Sequence, residues 1–252
     1  MKHLLVIYLL FLGLNAQAQA ELSATDIIHK VIEHSGGDVW HHPESLTLEG
    51  YSVFFPKGTQ DSKVVAESHK MWRQFAPTSE AAHLANGKVR IDIFSKGQRM
   101  FQMSFDGENA YNHEGVMPGG AANPQWRNAF GFGVIRYALN PGFTLHRLPD
   151  DTVDGLPCYM IRVVDPSQGE TMFGIDEESF APRMVAFQTD RGWHHRTYSE
   201  FVVDEKTGWR QPRLVKLFYN GVKANEVHWT SFTVNSSLSE KLFVLPDDVA
   251  EQ

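Results

Sequence analysis

Among its 252 residues the chain has a single cysteine, Cys158, so no disulfide can form within it and its stability must come from a large core. Cys158 alternates with Met160 in a strand-like run, with no base nearby in sequence, and reads as a buried, inert thiol. Basic charge is also scarce. Lys and Arg total 23 against 30 Asp and Glu, giving a formal net charge of -7, which excludes nucleic acid as a partner because no basic field exists to neutralise a phosphate backbone. No uncharged apolar run reaches the ~20 residues of a spanning helix, so no membrane span is expected. There is no G-x-S-x-G elbow, H-E-x-x-H helix, Walker loop or strand-linked GxGxxG, so no catalytic residue, metal ligand or cofactor is assigned.

What is present begins with an export signal. Met1-Lys2-His3 is a short basic start, Leu4 to Leu14 is apolar, and Ala16-Gln17-Ala18-Gln19-Ala20 offers overlapping small-x-small cleavage sites. Residues 1–20 are therefore read as a signal peptide, cleaved near Ala18 or Ala20, and residues 21–252 as a single soluble, exported domain.

The mature chain opens with Ser23-Ala24-Thr25-Asp26, a capping pattern followed by Ile27, Ile28, Val31 and Ile32 at helical spacing and stopped by Gly36-Gly37. This predicts an amphipathic helix over about 24–34. From Glu44 the period becomes 2, and runs such as Gln98 to Phe105 alternate apolar and polar residues between turn dipeptides, among them Asn86-Gly87, Lys96-Gly97 and Asn220-Gly221. Asn123-Pro124 followed by Trp126, Phe130, Val134 and Tyr137 predicts a second helix over about 124–139, weakened by Gly131 and Gly133, with a flexible gating loop over Gly115 to Asn123 before it. The expected fold class is α+β, mainly antiparallel: a curled half-barrel of about 10–11 strands, an N-terminal helix and the second helix inserted as a lid over a cavity.

Six Trp and 17 Phe exceed what an ordinary core requires and suit a cavity for an acyl chain or other apolar ligand. Face assignments put Phe101, Met103, Phe105, Trp126, Phe130, Tyr137 and Trp229 on its wall, subject to strand register. The histidine pairs His41-His42 and His194-His195 are the best metal candidates; adjacent residues on a strand face opposite ways, an objection that weakens for His41-His42 in a loop before Pro43. Asp247-Asp248 and Glu177-Glu178 read as solvated charge.

The order of parts resembles the periplasmic lipoprotein-sorting and carrier superfamily, the Lol carrier-like unclosed β-barrels, and particularly its larger relatives. The residues that carry the resemblance are the capped helix ending in Gly36-Gly37 and followed by Trp40, the run Met71-Trp72-Arg73-Gln74-Phe75, the turn from Phe105 through Asp106-Gly107 to Tyr111, and the closing Leu242-Phe243-Val244-Leu245-Pro246. It implies a periplasmic protein, not an enzyme, with an unclosed barrel under a helical lid and a lipid or acylated ligand. Carrier members latch the lid by hydrogen bonds from an arginine on an early strand, a position that Arg73 matches. By residue pattern alone Arg73 reads equally as an exposed strand charge. Two other classes stay open: an exported metal- or carboxylate-dependent hydrolase around His41, His42, His194 and His195, and a sensor or scaffold that contacts envelope proteins through sheet edges.

Overall fold

The computed structural model describes residues 21–246; residues 1–20, where a signal peptide is expected, and Asp247-Asp248 lie outside the described residues. Period-2 sequence becomes thirteen strands: β1 (Ser45–Phe54), β2 (Val64–Gln74), β3 (Lys88–Ser95), β4 (Gln98–Phe105), β5 (Ala110–Asn112), β6 (Gly115–Met117), β7 (Thr144–Val153), β8 (Leu156–Val164), β9 (Glu170–Asp176), β10 (Pro182–Thr189), β11 (Gly192–Val203), β12 (Arg210–Tyr219) and β13 (Val222–Val234). They form one antiparallel sheet in the order β6-β5-β4-β3-β2-β1-β13-β12-β11-β10-β9-β8-β7. Two meanders are thus joined through the β1–β13 pair, and the edges β6 and β7 are neighbours in sequence. The sheet is an unclosed half-barrel. At Gly50 the register of β1 shifts against both β13 and β2, and a Cβ there would lie 1.9 Å from the His228 carbonyl oxygen, so only glycine allows the backbones to approach at this bend.

The first helix, α1 (Ala24–Ser35), carries the full capping box: Ser23 Oγ accepts from the Asp26 amide at 3.1 Å, and the Asp26 carboxylate accepts from the Ser23 amide at 3.2 Å. A helix this short is marginal in water. What holds it is the burial of Ile27, Ile28 and Val31, each fully enclosed in the main core and worth at most about 1.5–3 kcal/mol. Gly36 ends it at φ 134°, with its α-carbon hydrogens facing the Gly208-Trp209 backbone closely enough that a Cβ would meet Trp209 Cα at 3.0 Å. A single further turn, α2 (Asp38–His41), then buries Trp40.

Two expectations differ from the structure. The second helix is not one helix: a 3-10 turn (Pro124–Trp126) leads into one α-turn, α3 (Arg127–Phe130), and then a 3-10 stretch (Gly131–Tyr137). Two glycines in seven residues remove about 1 kcal/mol each of helical preference, and the tighter 3-10 winding divides the apolar stripe. Trp126 and Phe130 pack in a second cluster with Val89, Met103, Phe105 and Ala110, while Val134, Ile135 and Ala138 join the main core with α1. The segment Gly115 to Asn123 is not all loop, because Gly115–Met117 pairs with β5 through Tyr111↔Val116. Three residues are too few to show a period.

The insert that links edge strands β6 and β7 therefore covers the same face of the sheet as α1. The opposite face of β3 and β4 is covered by the C-terminal segment, where Ser104 Oγ donates to the Phe243 carbonyl at 2.6 Å and Phe243 and Leu245 are buried. No helix among the described residues is long and apolar enough to cross a membrane.

Candidate functional site

Side chains that alternate inward from β1–β4 and β11–β13 enclose a cavity of about 520 Å³, in the range that holds small-molecule ligands. Leu46 and Leu48 of β1, Met71 of β2, Ile91 and Ile93 of β3, Met103 of β4, Val215 and Leu217 of β12, and Val227 and Trp229 of β13 make its apolar wall. Trp40, Gln125, Ala129 and Arg136, from α2 and the insert, face it from the helical side. Met100 and Phe101, at the start of β4, are largely exposed and form part of its rim.

The charged lining has one sign. Arg73, Arg136, Arg196 and Arg210 face the cavity, and among the described residues no Asp or Glu does, in a chain that is acidic as a whole. Arg73 follows from period 2, since Met71, Arg73 and Phe75 point the same way as His69. Its guanidinium lies 4.9 Å from the Phe75 ring centroid and 4.5 Å from that of Phe130, and its buried Nε has no hydrogen-bond partner. Arg136 is packed among Trp40, Phe75 and Trp209 at 4.4–5.3 Å from their ring centroids, and its Nε donates to the Trp40 carbonyl at 2.8 Å. Loss of water lowers both arginines, Arg73 to about 10 and Arg136 to about 9, with the charge of Arg73 adding to the shift of Arg136 and that of Arg196 to the shift of Arg73. Both remain cations at neutral pH. Burial also pushes the Tyr198 phenol, beside Arg196, up to about 12.

His69 lines the same cavity but is uncharged at neutral pH, because burial lowers it to about 4. Its Nδ1 is 2.6 Å from Ser52 Oγ and its ring packs 4.7 Å from Trp229.

No family model matches the chain, and no curated protein matches its sequence. Solved structures do match. A LolA superfamily protein from Nitrosomonas europaea is 12% identical over 89% of this chain and 98% of its own, with a TM-score of 0.56. An outer membrane lipoprotein-sorting protein domain from Vibrio parahaemolyticus is 10% identical over 88% and 97%, with a TM-score of 0.50. A DUF1329 family protein from Desulfovibrio piger is 8% identical over 88% and 97%, with a TM-score of 0.51. The chain has the lipoprotein-sorting fold. Identities this low establish the architecture and carry no residue roles.

Within that fold the sequence-predicted residues fall into three places. Phe101, Met103 and Trp229 line the cavity. Phe105, Trp126 and Phe130 are enclosed in the second cluster, with Trp126 edge-on to both phenylalanines at centroid separations of 6.1 and 5.9 Å. Tyr137 turns away, donating its hydroxyl to the Ala76 carbonyl at 2.9 Å. Phe105 shares its strand face with Met103, but the insert folds down over that end of β4 and fills the space with Trp126. Arg73 is not an exposed strand charge, being only 8% accessible. Among the described residues it forms no hydrogen bond to the insert, and touches it instead through the Phe130 ring and beside Gly133, where a Cβ would lie 3.9 Å from Nη2.

Strand alternation separates His194 from His195, whereas His41 and His42, at the end of α2, keep their rings 4.0 Å apart. His194 is buried, accepts from Arg196 Nε at 3.0 Å and is held down to about 2 by desolvation and the neighbouring cations, whereas His195 stacks on Phe218. His42 Nδ1 pairs with Asp38 at 2.8 Å. No three His, Cys, Asp or Glu side chains among the described residues come together as a metal site. Cys158 is enclosed with Val153 and Met160, and burial raises its thiol to about 11.

Missed at the sequence level were Arg136 and Arg196. Arg136 sits inside an apolar helical stripe, and Arg196 follows the histidine pair on β11. The one available signal was parity, because Arg196 shares its strand face with Tyr198.

Proposed function

We propose that the protein is a soluble, exported binding or carrier protein for a lipid or acylated ligand, held in the half-barrel cavity beneath α1, α2 and the insert. The observation that carries this reading is the cavity itself. About 520 Å³ of space is lined mainly by Leu, Ile, Val, Met and Trp, and burying such a surface against hydrocarbon returns roughly 25 cal/mol per Å². The sorting role named for the Vibrio parahaemolyticus structure and the signal-like residues 1–20 support export to the periplasm and transfer of acylated cargo between envelope sites. Sheet edges β6 and β7 are the surfaces that an envelope protein partner would meet.

The role of the insert is that of a lid. Its 3-10 backbone is intrinsically weak, and its apolar residues are held by packing that a ligand can replace.

The test is displacement of an apolar fluorescent dye, N-phenyl-1-naphthylamine, from the purified protein by dodecyl-chain amphiphiles. Saturable dye binding that the amphiphiles reverse supports the reading. A chain that takes up neither dye nor amphiphile contradicts it.

A further inference from the structure

The cavity reverses the polarity expected of a pocket for hydrocarbon alone. Two of its charged groups are among its most enclosed, and two apolar side chains stand at its rim: Arg73 and Arg136 are 8% and 3% accessible, Met100 and Phe101 45% and 37%. A buried cation is tolerated when a counter-charge and hydrogen-bond acceptors complete it. Here the wall supplies no carboxylate, Arg73 Nε is without a partner, and the Phe75 and Phe130 rings offer a favourable field but no acceptor for its N–H groups. Arg136 shares the Phe75 ring with Arg73, and Arg196, whose Nε donates to His194, lines the same cavity with its charge bearing on Arg73. Arg73, at least, lacks an anion.

We propose that the ligand is an anionic amphiphile bound head inward, with its carboxylate or phosphate group seated on Arg73 between Arg136 and Arg196, and its chain running outward past Met71, Ile91 and Met103 to the rim at Met100 and Phe101. This rests on the carrier reading above and specifies the chemistry of its cargo. It sets the protein apart from a carrier that admits acyl chains methyl end first, which would press hydrocarbon against three cations. A planar guanidinium fork matches either oxyanion in two-point contact. Although desolvation lowers them, Arg73 and Arg136 stay protonated at neutral pH, so the seat is charged when the ligand arrives.

Intrinsic tryptophan fluorescence of the exported chain, titrated at pH 7 with dodecanoate, dodecyl phosphate, dodecanol and inorganic phosphate, tests this. The two anionic amphiphiles are expected to bind about tenfold or more tightly than dodecanol, and inorganic phosphate to bind far more weakly than dodecyl phosphate. Arg73→Gln should remove about tenfold from the affinity for both anions while leaving dodecanol unchanged, and Arg73→Lys should restore part of the loss. Should Arg73→Gln not fold, Arg196→Gln makes the same comparison at a less enclosed position. Dodecanol binding as tightly as dodecanoate to the unaltered protein would overturn the head-inward assignment and leave the carrier reading standing. Inorganic phosphate binding as tightly as dodecyl phosphate would overturn it too, since the chain would then contribute nothing. If none of the three amphiphiles binds, the carrier reading and this inference fall together.

Discussion

The guanidinium groups of Arg73 and Arg136 share the ring of Phe75, at 4.9 and 5.3 Å from its centroid. One arginine comes from a strand and the other from the insert, so the contact joins the insert to the sheet through two like charges. Two cations brought together in a water-poor site repel each other, a cost that the proposed anionic ligand would relieve.

Arg73 is therefore expected to destabilise the empty protein. Arg73→Met, which keeps an unbranched apolar stem and removes the guanidinium, should raise the unfolding free energy of ligand-free protein by about 1–3 kcal/mol in urea titrations. Arg136→Met removes the Nε bond to the Trp40 carbonyl and should destabilise instead. A loss of stability in Arg73→Met would show that its ring contacts outweigh its desolvation.

His69 sets an acid limit. Its folded pKa of about 4 lies below the unfolded value near 6.5, so the unfolded chain binds more protons in that window, and stability is lost as pH falls from about 6.5 to about 4. The loss attributable to His69 is roughly 3 kcal/mol by pH 4. Urea midpoints measured at pH 7 and pH 4.5 should fall less steeply for His69→Gln than for the unaltered protein, and equal slopes would dismiss His69 as the source.

Much of this architecture can be read from residues alone, and the reasons differ by element. The Ser23–Asp26 capping box and the Gly36 stop mark α1 to within a residue, because both ends are set by local hydrogen bonds and backbone conformation. The long strands declare themselves by alternation. Strands β5 and β6 do not, since three residues contain no repeat. The insert misleads because helical spacing at Trp126, Phe130, Val134 and Tyr137 is real, while Gly131 and Gly133 let tertiary packing choose the tighter 3-10 form. Met103 and Trp229 reach the cavity as strand parity indicates, but parity cannot reveal that Trp126 covers Phe105. The arginines were hardest to see, because a charge facing inward contradicts the pattern used to find the inside.

Gly133→Ala probes the lid. The added methyl would meet Arg73 Nη2 and Nη1 at 3.9 and 4.0 Å, ordinary contact distances, so the substitution should stabilise the protein by about 0.4–1 kcal/mol through the unfolded chain. With a stiffer insert, stopped-flow exchange of N-phenyl-1-naphthylamine should slow. Raised stability with unchanged exchange would make the insert a structural cover and nothing more.

Filling the cavity should separate binding from folding. Leu217→Trp puts an indole into the space that the ligand occupies, so amphiphile binding should be abolished while far-ultraviolet circular dichroism and the urea midpoint stay near those of the unaltered protein. Retained binding in a folded Leu217→Trp variant would place the ligand elsewhere.

Native mass spectrometry of protein isolated from its own host cells without detergent, followed by solvent extraction of whatever is bound, addresses the central claim most directly. The account predicts a near-stoichiometric adduct that extracts as an anionic, chain-bearing lipid and is lost in Leu217→Trp. A protein that carries no adduct and takes none up from anionic vesicles would contradict it.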